Sequence, residues 1–221
     1  MNYLEIIKNR HSIRSYNNKE IEKEKLDILL KYIEQCNQES GLHIQLCMDD
    51  PAVFTGLKAR YGKLTNVNNY IALVGKKSKN LEENIGYYGE KIVLKATELE
   101  LGTCWVAGTY SKGKSKISLS SDEKLVCVIA SGYSDIKGFP HKNKPIEELC
   151  NINSTSPIWF RNGVEYAMLA PTAMNQQKFF FTLQDTKVTV KPGRGFYTKL
   201  DLGIVKYHFE IGAGKENFTW G

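Results

Sequence analysis

Tyr70-Ile71-Ala72-Leu73-Val74-Gly75 is a compact apolar run that reads as a central β-strand, and the rest of the chain is organised around it. Downstream, residues 84–101 place Ile85, Ile92, Leu94, Ala96, Leu99 and Leu101 at helical spacing, and Gly102 follows as a helix-ending glycine. Cys104-Trp105-Val106-Ala107-Gly108 continues as a short strand or loop. Ser120-Ser121-Asp122-Glu123 reads as a helix start, and Leu125-Val126-Cys127-Val128-Ile129-Ala130-Ser131-Gly132 as a second continuous apolar strand. Upstream, Tyr3, Leu4, Ile6 and Ile7 predict a short helix over residues 2–9. Leu26, Leu29, Leu30 and Ile33 predict an amphipathic helix over 22–37, and Ile44–Met48 a strand.

Beyond Gly132 the pattern changes. Residues 136–145 are polar, with two prolines and three lysines, and predict a loop. Asn151-Ile152-Asn153-Ser154-Thr155-Ser156 reads as a linker between a first half, residues 1–150, and a smaller second half, 156–221. In the second half the pattern predicts a helix over Trp159–Leu169 and a hairpin of 178–183 with 187–190 around Gln184-Asp185-Thr186. A final helix over Asp201–Ile211 is closed by Gly212-Ala213-Gly214. The expected class is α+β, a mixed sheet flanked by helices. A faint duplication, helix then polar elbow then strand, links 22–48 with 158–183 and points to two unequal pseudo-symmetric halves.

The chain has 221 residues, 42% hydrophobic, which suffices for a packed core and argues against global disorder. Its net charge of +6 comes from 30 basic and 24 acidic residues. That excess favours anionic ligands but is too diffuse to argue for nucleic acid. Five cysteines, an odd number with no C-x-x-C pair, and an opening Met1-Asn2-Tyr3-Leu4-Glu5 without signal-peptide character lead to the expectation of free thiols in the cytoplasm. No apolar run approaches the ~20 residues needed to cross a bilayer. The four histidines lack ligand spacing, so no metal is expected.

Two polar segments carry the chemistry. Arg10-His11-Ser12-Ile13-Arg14 sets basic side chains beside a hydroxyl, a combination suited to a phosphate. Ala170-Pro171-Thr172-Ala173-Met174-Asn175-Gln176-Gln177 is a polar breaker between apolar runs, and its hydroxyl and amides suit the edge of a polar ring system. A phosphate and a polar ring together describe a flavin nucleotide. The plain alternative for the first is a basic helix terminus, and for the second a helix-ending Ala-Pro turn capped by Asn175.

Arg10-His11-Ser12-Ile13-Arg14-Ser15-Tyr16 resembles the Arg-x-Ser-x-Arg-x-Phe/Tyr opening of the FMN-dependent nitroreductase family. The Pro171-Thr172-x-x-Asn175-x-Gln177 elbow is similar to that family's Pro-Ser-x-x-Asn-x-Gln signature. The helix and turn of 87–108, and Gly132-Tyr133 followed by Lys142-Asn143-Lys144-Pro145, resemble its remaining segments. One departure is clear: in ordinary members the elbow follows the first long helix, whereas here it comes after residue 170. That late placement resembles a branch of nitroreductases whose chain is rearranged into two unequal halves.

The resemblance implies a nitroreductase-like fold and FMN as cofactor. It implies Arg10, His11 and Ser12 at the phosphate, with charge added by Lys142 and Lys144. Arg14 would lie near flavin N1 and O2, where a cation stabilises reduced flavin. Backbone N–H groups of Val106, Ala107 and Gly108 would lie near N5 and O4, and Pro171, Thr172, Ala173 and Asn175 would lie along the ring and ribityl chain. Some members carry Glu-Gly where this chain has Ala107-Gly108, so a role for an acidic side chain is lost there. No side chain is catalytic in the strict sense, because flavin N5 carries the chemistry. The implied activity is NAD(P)H oxidation, with NADH or NADPH a transient co-substrate, and ping-pong reduction of nitroaromatic, quinone or similar small-molecule acceptors. The alternative is a non-catalytic FMN-binding storage or sensor module. Neither nucleic acid nor membrane is an expected partner, and a pseudo-dimeric monomer and a homodimer both remain open. Tyr110, Phe139, Phe196 and Tyr197 are candidate lid aromatics, with core packing the first expectation for each; Lys63 and Asn66 match the family poorly.

Overall fold

The computed structural model describes residues 2–221, apart from the side chain of Lys58. Six helices and seven strands follow one another as α1 (Tyr3–Asn9), α2 (Lys23–Ser40), β1 (Gln45–Cys47), α3 (Leu57–Tyr61), β2 (Asn69–Lys76), α4 (Leu81–Glu98), β3 (Gly102–Val106), β4 (Glu123–Gly132), α5 (Ile158–Met168), β5 (Phe179–Gln184), β6 (Lys187–Pro192), α6 (Thr198–Ala213) and β7 (Thr219–Trp220). The class is α+β, as expected. The strands form a four-stranded sheet in the order β1-β2-β4-β3 and a three-stranded sheet in the order β5-β6-β7. The first is antiparallel throughout. The second is mixed, with β5–β6 antiparallel and β6–β7 parallel.

The chain forms two compact units, each drawn from separated segments. One holds Asn9–Leu81 and Lys91–Phe139; the other holds the N-terminal segment through Lys8, Glu82–Glu90 and Pro140–Gly221. They are called here the sheet unit and the aromatic unit.

In the sheet unit, β2 is central and buried from Asn69 to Gly75, as its apolar run predicts. Tyr70, Ala72 and Val74 share a cluster with Val106, Val128 and Ala130. Strand alternation sends Ile71 and Leu73 to the opposite face, where they too are fully buried. A sheet buried on both faces needs continuous apolar strands, which is why β2 and β4 do not alternate. Helix α2 buries Leu29, Ile33 and Cys36, but Leu30, expected on the same face, is exposed. The turn after α2 is fixed by Asn37, which accepts from the Ile44 N–H at 2.8 Å and donates to the Ile44 carbonyl at 2.9 Å.

In the aromatic unit, α5 and α6 enclose a stack of rings. Phe181 and Phe209 lie 4.7 Å apart and near parallel, with Phe160, Phe218 and Trp220 around Phe209. Offset and edge-to-face pairs of this kind add to the burial energy of the rings. The Glu82–Glu90 part of α4 meets α6 backbone to backbone: a Cβ on Gly86 would lie 2.0 Å from the Leu200 carbonyl, and one on Gly203 would lie 1.9 Å from the Glu83 carbonyl. Beside this contact His208 Nε2 faces Glu90 Oε1 at 2.9 Å, both fully buried, so the polar groups satisfy one another inside the unit.

Three boundaries differ from the sequence reading. Gly102 does not close α4; Glu100 takes the left-handed conformation (φ 64) and Gly102 begins β3. Ser120-Ser121-Asp122-Glu123 starts no helix but turns into β4, with Glu123 accepting from the Ser120 N–H at 2.9 Å. Of the closing glycines only Gly214 takes a positive φ (77); Gly212 lies within α6. The five cysteines are all free. Among the described residues no helix is long and apolar enough to cross a membrane.

Candidate functional site

The basic segment directly follows α1 and is laid along the edge of β3 in the sheet unit. Ser12 forms a parallel bridge with Thr103, and the Ile13 N–H donates to the Thr103 carbonyl at 2.9 Å. Two residues on, the chain is held from the other side: the Thr65 N–H donates to the Arg14 carbonyl at 2.9 Å, and the Tyr16 N–H to the Thr65 carbonyl at 3.1 Å. Tyr16 is buried and its hydroxyl donates to the Ala130 carbonyl at 3.1 Å. Burial holds that phenol well above its ordinary pKa, so it stays protonated as a structural donor. Gly102 allows the close approach of the segment to β3, because a Cβ there would lie 2.9 Å from Ile13 Cγ1.

Much of this scaffolding uses the backbone, with the Tyr16 hydroxyl as a buried side-chain anchor. Arg10 is only 6% exposed, His11 and Ser12 are half-buried, and Arg14 is exposed. Cys104 lies within electrostatic reach of both arginines: burial raises its thiol pKa, while Arg14 and then Arg10 oppose the rise. Both guanidinium charges therefore act at the middle of β3. At the C-terminal end of β3, two residues and about 7 Å along the strand from Cys104, Val106 is buried, Ala107 half-buried and Gly108 exposed. Asn66, in the loop that holds the segment, donates to the Tyr16 carbonyl at 3.3 Å.

The elbow belongs to the aromatic unit and is built differently. Ala173–Asn175 forms a single 3-10 turn. Met174, Asn175 and Gln177 all take left-handed backbone (φ 52, 51 and 45), a costly conformation for residues with side chains. Side chains hold it there. The Thr172 hydroxyl accepts from the Gln177 N–H at 3.1 Å. Gln177, 2% exposed, donates to the Lys142 carbonyl at 2.8 Å and to Asn175 Oδ1 at 3.0 Å, and accepts from the Lys144 N–H at 3.1 Å. Asn175 donates to the Lys142 carbonyl at 2.9 Å. The Lys144 ammonium donates to the Gln177 carbonyl at 3.3 Å, while Lys142 is exposed. The structure thus joins the Lys142–Lys144 loop to the elbow through Asn175 and Gln177, with Thr172 bonded to Gln177 in turn.

Asp201, in the first turn of α6, was not singled out by sequence reasoning. It accepts from the Ala173 N–H at 3.0 Å and from Gln176 Nε2 at 2.8 Å, and is 3% exposed. Burial raises its pKa to about 6, against the two hydrogen bonds, which lower it. No local pattern marks a partner so far along the chain. Of the four candidate aromatics only Tyr110 lies in the core; Phe139, Phe196 and Tyr197 are exposed, against the first expectation of core packing. Among the described residues no group of three or more His, Cys, Asp or Glu side chains is arranged to hold a metal ion.

The family described as "Putative TM nitroreductase" matches residues 2–213. A putative nitroreductase from Thermotoga maritima superposes with a TM-score of 0.70 at 24% identity, over 96% of this chain and 83% of that one. An FMN-dependent nitroreductase from Clostridium difficile R20291 superposes with a TM-score of 0.50 at 26% identity, over 62% of this chain and 91% of that one. A putative nitroreductase from Desulfovibrio desulfuricans, in complex with FMN, gives a TM-score of 0.55 at 16% identity, over 70% of this chain and 98% of that one. At 24% and 16% identity the likeness is one of fold. No curated protein matches the sequence.

Proposed function

Because the chain belongs to the family described as "Putative TM nitroreductase", we propose that it is an FMN-dependent NAD(P)H oxidoreductase that reduces nitroaromatic, quinone or similar acceptors. The observation that carries the reading is the family match over residues 2–213, with the basic segment held rigidly against β3 inside the matched region. The donor set fits the cofactor's chemistry. A buried arginine, a hydroxyl and a second arginine on one short stretch suit a dianionic phosphate and an electron-rich ring edge. FMN, when bound, supplies a ring nitrogen that accepts hydride from NADH or NADPH and passes two electrons to the acceptor.

The chain's own residues bind and tune that group. Arg10, His11 and Ser12 would hold the phosphate. Lys142 and Lys144 add positive charge. Arg14 sets a fixed cation at the N1–O2 edge, which favours the reduced form. Backbone N–H groups at Val106, Ala107 and Gly108 would serve the N5–O4 edge, which requires no acidic side chain at position 107. Pro171, Thr172, Ala173 and Asn175 orient the ring and ribityl chain; Thr172 keeps its O–H as a donor, since its oxygen already accepts from Gln177.

The test is steady-state oxidation of NADH or NADPH by the FMN-loaded protein with a nitroaromatic or quinone acceptor. Parallel double-reciprocal lines are expected, the signature of a ping-pong sequence. A yellow protein that oxidises neither nucleotide would leave only the storage or sensor reading.

A further inference from the structure

One end of the four-stranded sheet departs from the rest of it. Three successive rows across β2, β4 and β3 are drawn from hydrophobic residues: Tyr70–Ala130–Cys104, Ile71–Ile129–Trp105 and Ala72–Val128–Val106. The row beyond them pairs Asn69 with Ser131 and Ser131 with Thr103. The parallel bridge between Thr103 and Ser12 extends that row onto the basic segment. Residues directly opposite one another on neighbouring strands project to the same face, with Cβ atoms about 5 Å apart. One amide and three hydroxyls therefore stand side by side, in the order Asn69, Ser131, Thr103, Ser12. Ile13, the next residue, goes to the other face, where it packs against the cluster of Tyr70 and Cys104. The row lies wholly within the sheet unit.

Three of the four are deeply buried: Asn69 is 8% exposed, Thr103 3% and Ser131 2%, while Ser12 is half-buried. The Ser131 hydroxyl has no hydrogen-bond partner among the described residues. A buried hydroxyl left in that state costs stability, and alanine would fill its place without the cost, so packing alone does not account for serine there. The amide at the far end is oriented. Asn69 Oδ1 accepts from the Asp49 N–H at 3.1 Å, so Nδ2 is the group left to donate into the row. A hydroxyl accepts and donates at once, so a donor at Asn69 sets one direction through Ser131 and Thr103 to Ser12. At that end the Ser12 oxygen accepts from within the protein and its O–H points outward. A phosphate oxygen accepts and does not donate, so this is the polarity that such an anion needs.

We propose that Asn69, Ser131 and Thr103 are positioning residues for an anion site at Ser12, forming a one-way relay that holds the Ser12 O–H toward a bound phosphate. The inference rests on the reading of Ser12 as a phosphate contact. Hydroxyls carried on Cβ atoms about 5 Å apart bond directly or through one water. The Ser131 hydroxyl gains its partners when the anion draws the row into line. The three residues act through Ser12 and make no contact with the ligand themselves.

The test compares the dissociation constants of FMN and riboflavin for the full chain stripped of flavin, since the two ligands differ by the phosphate alone. The wild type is expected to bind FMN the more tightly. Ser131→Ala and Thr103→Val should each weaken FMN binding about fivefold, the factor for one hydrogen bond, and leave riboflavin within about twofold. Thr103→Ser, which keeps the hydroxyl, should bind FMN within about twofold of the wild type. Ser131→Ala should at the same time keep or raise the urea midpoint, because it removes an unpartnered buried hydroxyl. Weaker FMN binding in that variant is then not the result of a weaker fold, and it decides the matter alone if Thr103→Val does not fold. An unchanged FMN-to-riboflavin ratio in Ser131→Ala, with the wild type preferring FMN, would overturn the relay and leave Ser12 at the phosphate. A wild type that binds both ligands equally, or neither, would overturn the reading of Ser12 and the relay with it.

Discussion

The basic segment and the elbow are both short, polar and irregular, yet they are held in opposite ways. Residues 12–16 are fixed mainly by their backbone, through Thr103 on one side and Thr65 on the other, with the Tyr16 hydroxyl as a side-chain anchor. Residues 172–177 are fixed by side chains, through Gln177, Asn175, Gln176 and Asp201. In the first, Ser12 and Arg14 are supported through the backbone, without their side chains being spent on the support. In the second, Thr172 and Asn175, named as ligand contacts, also maintain the fold. Side-chain substitutions should therefore separate binding from stability at the first site and mix them at the second.

The largest effect is expected at Gln177. Gln177→Ala removes three hydrogen bonds from a buried position and leaves the Lys144 N–H without its partner, while the Lys142 carbonyl keeps only the bond from Asn175. Chemical denaturation should show a loss of about 3–4 kcal/mol. A loss below about 1 kcal/mol would mean that the elbow does not depend on its side chains. For the same reason Thr172→Ala combined with Asn175→Ala should weaken FMN retention and stability together.

Asp201 sharpens the contrast through pH. Its folded pKa of about 6 lies above its ordinary 3.8, so between those values the folded protein binds a proton that the unfolded chain does not. That contribution is fully present below about pH 4 and is lost as pH rises through 6, a change of at most about 3 kcal/mol. Unfolding free energies of wild type and Asp201→Asn, compared from pH 4 to 7, should diverge in that sense. A constant difference across the range would remove the carboxylate from the account.

At the basic segment the expected changes are smaller. Gly102→Ala drives a Cβ against Ile13 and should cost about 1–2 kcal/mol, with weaker anion binding because the segment is displaced. Arg14→Ala is smallest in stability, below about 0.5 kcal/mol for an exposed side chain, but should lower the flavin reduction potential and reductase activity. Unchanged activity in that variant would refute the role assigned to its charge.

How much of this was legible follows from the range of the interactions. The strands β2 and β4 and the β5–β6 hairpin were readable, because a sheet buried on both faces writes itself as continuous apolar runs and a hairpin turn is local. Ser120–Glu123 misled because Glu123 reaches back to the Ser120 N–H as in a helix capping box, while the residues that follow pair with β2. Gly102 misled because Glu100 took the left-handed position and the glycine served the approach of Ile13 instead. The residues proposed for the site were singled out by type and spacing. Their supports were not: Thr103, Thr65 and Asp201 lie far along the chain from the residues they hold. Phe196 and Tyr197 read as core because aromatic residues usually are, yet both face solvent.

The most direct measurement is the visible spectrum of the purified protein, before and after incubation with FMN, with mass spectrometry of the released ligand. The account predicts the yellow absorbance of bound flavin, a released species with the mass of FMN, and loss of both in Arg10→Gln while the fold persists. A colourless protein that stays colourless with added FMN, or one whose flavin is retained undiminished in Arg10→Gln, would contradict it.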